Sequence, residues 1–290
     1  MVYLLAIASA VFYGAADFAG GLTTRRAGTI PVVFLSQASG LALLALMLLF
    51  LPGEPSLPDF AWGAAAGLTG GVGVALLYRA LAVGVMAVVA PTTAVCAVII
   101  PVVVSILLGE RPLPLVAAGI LLGIWSIVLV SRQTSPRSLS SAMSPGRVMA
   151  LPPGVGMALI SGVAIGFFFL SLAQTRSEAG MWPILASRTV STVLFGSLVL
   201  VRRESLRMSR STLGLVVLAG TVDMLANALY LEAARQGPLS VVVTLSSLYP
   251  ASTVLLARIA LGERLNGWQV TGVGCALAAI VLIVSGDRSA

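Results

Sequence analysis

Charge is scarce in this sequence: Asp, Glu, Lys and Arg make up only 9% of its 290 residues, where a soluble globular domain carries roughly 25%. So few charges cannot hold a folded surface in water, which excludes a freely soluble domain and leaves lipid as the neighbour of the apolar excess. There is no lysine and no histidine, and all 17 basic residues are arginine. Imidazole metal sites and His-based acid–base or nucleophilic pairs are thereby excluded. A Walker A sequence requires lysine, so this chain holds no ATP site of that type. The two cysteines, Cys96 and Cys275, lie in separate apolar runs, which argues against a disulfide framework or a cysteine zinc site. The pI of about 10.4 does not indicate nucleic acid, because no basic cluster is interleaved with aromatics. Nothing in the sequence calls for a cofactor.

What is present is hydrocarbon: 58% of the residues are hydrophobic and the mean hydropathy is +1.05. A helix needs about 20 mostly apolar residues to cross a bilayer, and backbone groups there must pair internally. On that basis the first spans fall near Val2–Gly21, Ile30–Leu51, Ala61–Val83, Met86–Leu108 and Leu113–Val130. A second set falls near Val155–Leu172, Met181–Val201, Leu213–Ala234, Leu239–Leu261 and Trp268–Ser285. The first segment has no basic start and stays apolar beyond a signal peptide's core of about 7–15 residues, so it reads as a span. Alternating ten-residue strand patterns, the mark of a barrel, are missing. The expectation is an all-α integral membrane protein of about ten transmembrane helices, multi-pass in the cell (inner or plasma) membrane.

Most connections are a few residues long, but one runs from Ser131 to Pro153 and is rich in Ser, Pro and Arg, as flexible linkers are. It divides the chain into residues 1–130, a linker 131–153, and residues 154–290. The divided parts repeat one another. Gly109-Glu110-Arg111 recurs as Gly262-Glu263-Arg264, an offset of 153 (262 − 109), and the tight turn at Gly84 recurs at Gly237 with the same offset. Pro31 and Pro183, like Gly14 and Gly166, are 152 apart. Each part holds five spans, and two copies of an odd-span unit insert in opposite orientations. The result is a 5+5 inverted repeat, the architecture that lets one conformation mirror another in alternating access. Ten arginines fall in the odd-numbered connections and four in the even-numbered ones and the C-terminus. The positive-inside rule then places the linker in the cytoplasm and both termini outside.

These motifs carry a resemblance. Leu108-Gly109-Glu110-Arg111 and Leu261-Gly262-Glu263-Arg264 each close a span that begins after a tight glycine turn. With Tyr78-Arg79-Ala80-Leu81 and Tyr249-Pro250, they resemble the drug/metabolite transporter superfamily, and within it the ten-span EamA-type exporters. The resemblance implies export or exchange of small polar metabolites, often amino acids, through a central cavity between the halves. It also implies cytoplasmic termini, opposite to the arginine distribution. The first half departs from the pattern at Cys96-Ala97, where the second has Tyr249-Pro250.

A charge at mid-membrane costs about 2.5–3.5 kcal/mol on insertion scales, so intramembrane charges are functional candidates. Asp223 lies near the middle of the eighth span, with Asn227 and Tyr230 on the same helical face. That stripe either lines a substrate cavity or ties helices together by hydrogen bonds. Arg188, inside the seventh span, either pairs with Asp223, holds a substrate carboxylate in bidentate fashion, or snorkels to the interface. Asp17, late in the first span and one turn after Tyr13, either joins Tyr13 among the cavity candidates or is solvated at the membrane interface. Arg79 and Glu232 occupy matching repeat positions (232 − 79 = 153) near span ends, and with Tyr249 they are candidate gate residues. Glu110 and Glu263 follow span ends beside arginines, where capping and local pairing account for them. Gly63, Gly67 and Gly71, and likewise Gly119 and Gly123, are spaced for close helix approach.

The leading expectation is therefore a secondary transporter of a small-molecule substrate, with a proton as a candidate coupling ion through Asp223 or Glu232, and with membrane lipid as its surroundings. A drug or other metabolite transporter of the same fold and a non-transport membrane subunit are the alternatives. An enzyme would need a convergent nucleophile–base pair or metal ligands, and the sequence displays neither.

Overall fold

The computed structural model describes residues 1–109, 111, 113–131, 153–261 and scattered positions between 267 and 282, and every regular element among them is helical. In chain order these are α1 (Val2–Ala27), α2 (Thr29–Met47), α3 (Leu57–Val83), α4 (Met86–Leu107) and α5 (Pro114–Ser131). There follow α6 (Val155–Ala173), α7 (Trp182–Arg202), α8 (Arg210–Gln236), α9 (Leu239–Ser246) and α10 (Tyr249–Leu261). Seven stretches among the described residues are long and apolar enough to cross a membrane, and two shorter apolar ones lie in α4 and α5. The protein is thus an all-α, multi-pass membrane protein. Half of the expected tenth span (268–285), the linker apart from its ends, Glu110 and Gly262-Glu263-Arg264 lie outside the described residues.

Several boundaries shift from the hydropathy reading, α1 running on to Ala27 and α2 ending at Met47, and two changes have a local chemical reason. The third span starts at Leu57, not Ala61, because Ser56 and Asp59 form a capping box. The Asp59 carboxylate accepts from the Ser56 backbone N–H at 2.9 Å and from its hydroxyl at 2.6 Å, satisfying donors that a helix start leaves open. Pro58 in the first turn costs the helix no hydrogen bond. The ninth span is not one helix but two, α9 and α10, broken at Ser247-Leu248. Pro250 has no N–H to continue the ladder across that point. Irregular backbone at membrane depth is tolerated where protein or a cavity surrounds it, and the α9 residues at the break are buried.

Packing runs across the two parts of the chain. Helix α1 lies along α8, α3 along α6 and α7, and α2 along α7 and α8. Small residues make this possible. A β-carbon on Gly63 would stand 2.5 Å from the Pro183 carbonyl oxygen, and one on Gly67 2.4 Å from that of Ser187. One on Gly71 would meet the Ser191 β-carbon at 2.9 Å. The glycine spacing seen in the sequence is therefore the seam between α3 and α7, where helix backbones touch as membrane packing favours. Serine hydroxyls seal the neighbouring seams: Ser9 donates to the Ala226 carbonyl at 3.0 Å and Ser161 to the Gly73 carbonyl at 2.7 Å.

At the end of the bundle where α3 begins, the two parts are also tied by charge. The Arg176 guanidinium reaches Asp59 at 3.0 and 3.1 Å, while its backbone N–H donates to the same carboxylate at 2.9 Å. Arg235, at the end of α8, donates to the Arg176 carbonyl at 2.9 Å. The Glu54 N–H donates to the Glu178 carbonyl at 2.7 Å.

Candidate functional site

A cavity lies between the halves, walled by α1, α2 and α3 on one side and α6, α7 and α8 on the other, with Tyr249 of α10. The centre of a water molecule fits within about 50 Å³ of it; one water needs roughly 10–15 Å³ on that measure. In this conformation it holds a few waters or a compact group, not a bulky amphiphile.

The polar groups form one chain across four helices. Arg188 of α7 is nearly fully buried and donates from one nitrogen to Gln37 of α2 and from another to the carboxylate of Asp223 of α8. Asn227, one turn further along α8, donates to the Asp223 carbonyl at 2.6 Å and lies 3.3 Å from its carboxylate. Tyr13 of α1 completes the chain by donating its hydroxyl to the Asn227 side-chain oxygen at 2.9 Å. Arginine is suited to this place because its planar fork satisfies two acceptors at once. A buried ion pair needs such additional hydrogen bonds to offset its desolvation.

Asp17 faces the same cavity from α1 and is 6% exposed. Among the described residues it has no hydrogen-bond or ion-pair partner. The buried hydroxyl of Tyr249, also at the cavity wall, likewise has none. Tyr13 packs edge-on against Tyr249, ring centroids 6.5 Å apart, and against Phe169 at 5.9 Å.

Tyr13, Asp17, Arg188, Asp223, Asn227 and Tyr249, picked from the sequence, thus converge on one cavity. Tyr230 does not line it: its hydroxyl donates to the Phe169 carbonyl at 2.9 Å and its ring stacks on Phe169 at 4.6 Å, so it props a wall residue from behind. Arg79 is exposed at the end of α3, and Glu232 near the end of α8 accepts from Gln236; neither touches the cavity. Sequence reasoning passed over Gln37, although a carboxamide inside the apolar second span is also a polar group that is costly to bury without a partner. It also passed over Ser187, Ser191 and Phe168, which line the wall and carry no signal of their own. Among the described residues no cluster of His, Cys, Asp and Glu could hold a metal.

Residues 1–132 and 152–285 both match the profile of the EamA-like transporter family. The chain belongs to that family. It is an EamA-like membrane transporter of the drug/metabolite transporter superfamily. The fold is similar to that of a protein of known crystal structure, 18% identical, with a TM-score of 0.68 over 99% of this chain and 98% of the other. No curated protein matches the chain by sequence.

Proposed function

We propose that this protein is a secondary transporter, an exporter or exchanger of small polar metabolites such as amino acids, working by alternating access through the cavity between two inverted five-helix repeats. The observation that carries it is the convergence of buried charge and hydrogen-bonding groups from both halves on one cavity. Burying such groups in a membrane is costly, and transport is a use for them that a purely structural subunit lacks.

The repeat is supported by contacts that reappear when the halves are exchanged. Ser9 donates to Ala226, and Ser161 donates to Gly73; the donors are 152 apart (161 − 9) and the acceptors 153 (226 − 73). Gly14 abuts the Tyr249 carbonyl as Gly166 abuts that of Ala97, with offsets of 152 (166 − 14) and 152 (249 − 97). Pairing of α1 with α8 answers pairing of α3 with α6. Two-fold pseudosymmetry of this kind supplies two mirror-related openings of one site. The divisions at residues 1–130, 131–153 and 154–290 and insertion in the inner or plasma membrane belong to the same reading.

The test is uptake and counterflow in proteoliposomes against a mixture of labelled amino acids, with and without a proton gradient. Accumulation is expected, and its response to the gradient shows whether protons are exchanged for substrate at the cavity carboxylates. Asp223→Asn is expected to reduce transport at least tenfold while expression and membrane insertion persist. Full transport by that variant removes Asp223 from the mechanism, and failure of every solute with folded protein removes the amino-acid reading.

A further inference from the structure

The cavity's charges are not balanced. Among the described residues its one arginine is Arg188, which gives one nitrogen to Gln37 and another to Asp223. Asp223 is therefore already countered, and the Arg188 charge that would draw in a substrate carboxylate is already neutralised by Asp223. Asp17 stands apart, buried to 6% exposure with no partner among the described residues. A carboxylate withdrawn from water without a counter-charge is strongly disfavoured. Such a group at a cavity wall is a place that a cation would satisfy.

The surroundings match one kind of cation. The Tyr249 hydroxyl is buried and also unpartnered among the described residues, so its oxygen is free to accept a hydrogen bond. Tyr13, Phe169 and Tyr249 present aromatic rings at the same wall, and ring faces attract cations. An ammonium group has three N–H donors and no acceptor. It would donate to Asp17 and to Tyr249 and lay its remaining charge against the rings. A substrate carboxylate would be repelled by Asp17, and among the described cavity residues the one positive charge, that of Arg188, is already paired with Asp223.

Resting on the transporter reading above, we infer that Asp17 and Tyr249 form a recognition site for a primary ammonium group, and that the preferred substrates are compact organic amines carrying net positive charge, in preference to zwitterionic amino acids. The amino-acid panel of the previous section then contains the weaker ligands, and the corresponding decarboxylated amines the stronger ones.

The matched probes are phenethylamine and phenylalanine, and isopentylamine and leucine, which differ only by the carboxylate. Binding to the purified full-length protein in nanodiscs, by calorimetry at fixed pH, is expected to be at least tenfold tighter for each amine than for its amino acid. Asp17→Asn is expected to cut amine affinity at least tenfold without lowering the melting temperature of the unliganded protein, because Asp17 has no partner to lose among the described residues. Asp17→Glu is expected to restore part of it. Equal binding of amine and amino acid, or undiminished amine binding by Asp17→Asn, overturns the site. Should Asp17→Asn fail to fold, the amine-to-amino-acid ratio of the parent decides alone. Counterflow of amino acids that amines do not inhibit would keep the transporter and discard this site. Tight amine binding through Asp17 without any transport would keep the site and discard the transporter.

Discussion

The two walls of the cavity share a scaffold and differ in chemistry. Under the proposed repeat, Gly70 on α3 corresponds to Asp223 on α8 (223 − 70 = 153) and Val74 to Asn227 (227 − 74 = 153). Ser36 corresponds to Arg188 (188 − 36 = 152), and Asp17 to Phe169 (169 − 17 = 152). The seam contacts are kept in duplicate, while the charged groups occur once each. Helix-to-helix contact needs small residues at a fixed spacing, and a two-fold arrangement serves both copies alike. A solute is not two-fold symmetric, so the groups that hold it gain nothing from being repeated. The second half supplies the ion pair and Asn227; the first supplies Gln37 and Tyr13, which bond to them, and Asp17, the carboxylate among the described cavity residues that has no partner.

That contrast is broken most severely at the ion pair. Arg188→Ala leaves the Asp223 carboxylate buried and uncountered, and is expected to cost about 3–5 kcal/mol. The first-half counterpart Ser36→Ala removes only a hydroxyl bonded to the Val33 carbonyl of its own helix, with an expected change within ~0.5 kcal/mol. Thermal unfolding in detergent checks both. Adding Asp223→Ala to Arg188→Ala should recover part of the loss, whereas simple additivity of the two would show that the residues are not coupled.

The seam comes next. Gly67→Ala places a β-carbon 2.4 Å from the Ser187 carbonyl oxygen, between helices with no room to part, and is expected to destabilise by about 1–3 kcal/mol. Gly214→Ala, in α8 with nothing within 4 Å, is expected to stabilise slightly, by up to ~1 kcal/mol, because alanine favours the helix. If both variants melt alike, close packing at the seam is not what the glycines are for.

The smallest effect separates two tyrosines of one cavity wall. Tyr13→Phe deletes the bond to Asn227 and is expected to cost about 1 kcal/mol. Tyr249→Phe deletes a hydroxyl with no partner among the described residues and is expected to leave the melting temperature unchanged while weakening amine binding. A Tyr249→Phe melt as low as that of Tyr13→Phe would assign Tyr249 a structural bond instead.

Much of this was legible in one dimension. Hydropathy located the helices because lipid imposes a length and forbids unpaired backbone. Depth in a span flagged Asp223 and Arg188 because charge is costly there. The same reasoning misplaced Tyr230, whose helical face coincides with that of Asp223 and Asn227 but which lies near the α6 backbone and bonds to it. Helical spacing reports which residues share a face, and not what that face meets. Arg79 and Glu232 matched as repeat positions but stand outside the cavity, since a long side chain near a helix end reaches water easily.

By itself, then, the sequence determined that the chain lives in lipid, that it is helical, and which polar side chains are costly to hold there. Those are properties of single residues and of one periodicity. Only the tertiary structure decided that Arg188 is shared between Gln37 and Asp223, and that Asp17 has no partner among the described residues. Those facts depend on which side chains from α1, α2, α7 and α8 meet within hydrogen-bond distance, and that is set by how helices far apart in sequence pack against one another.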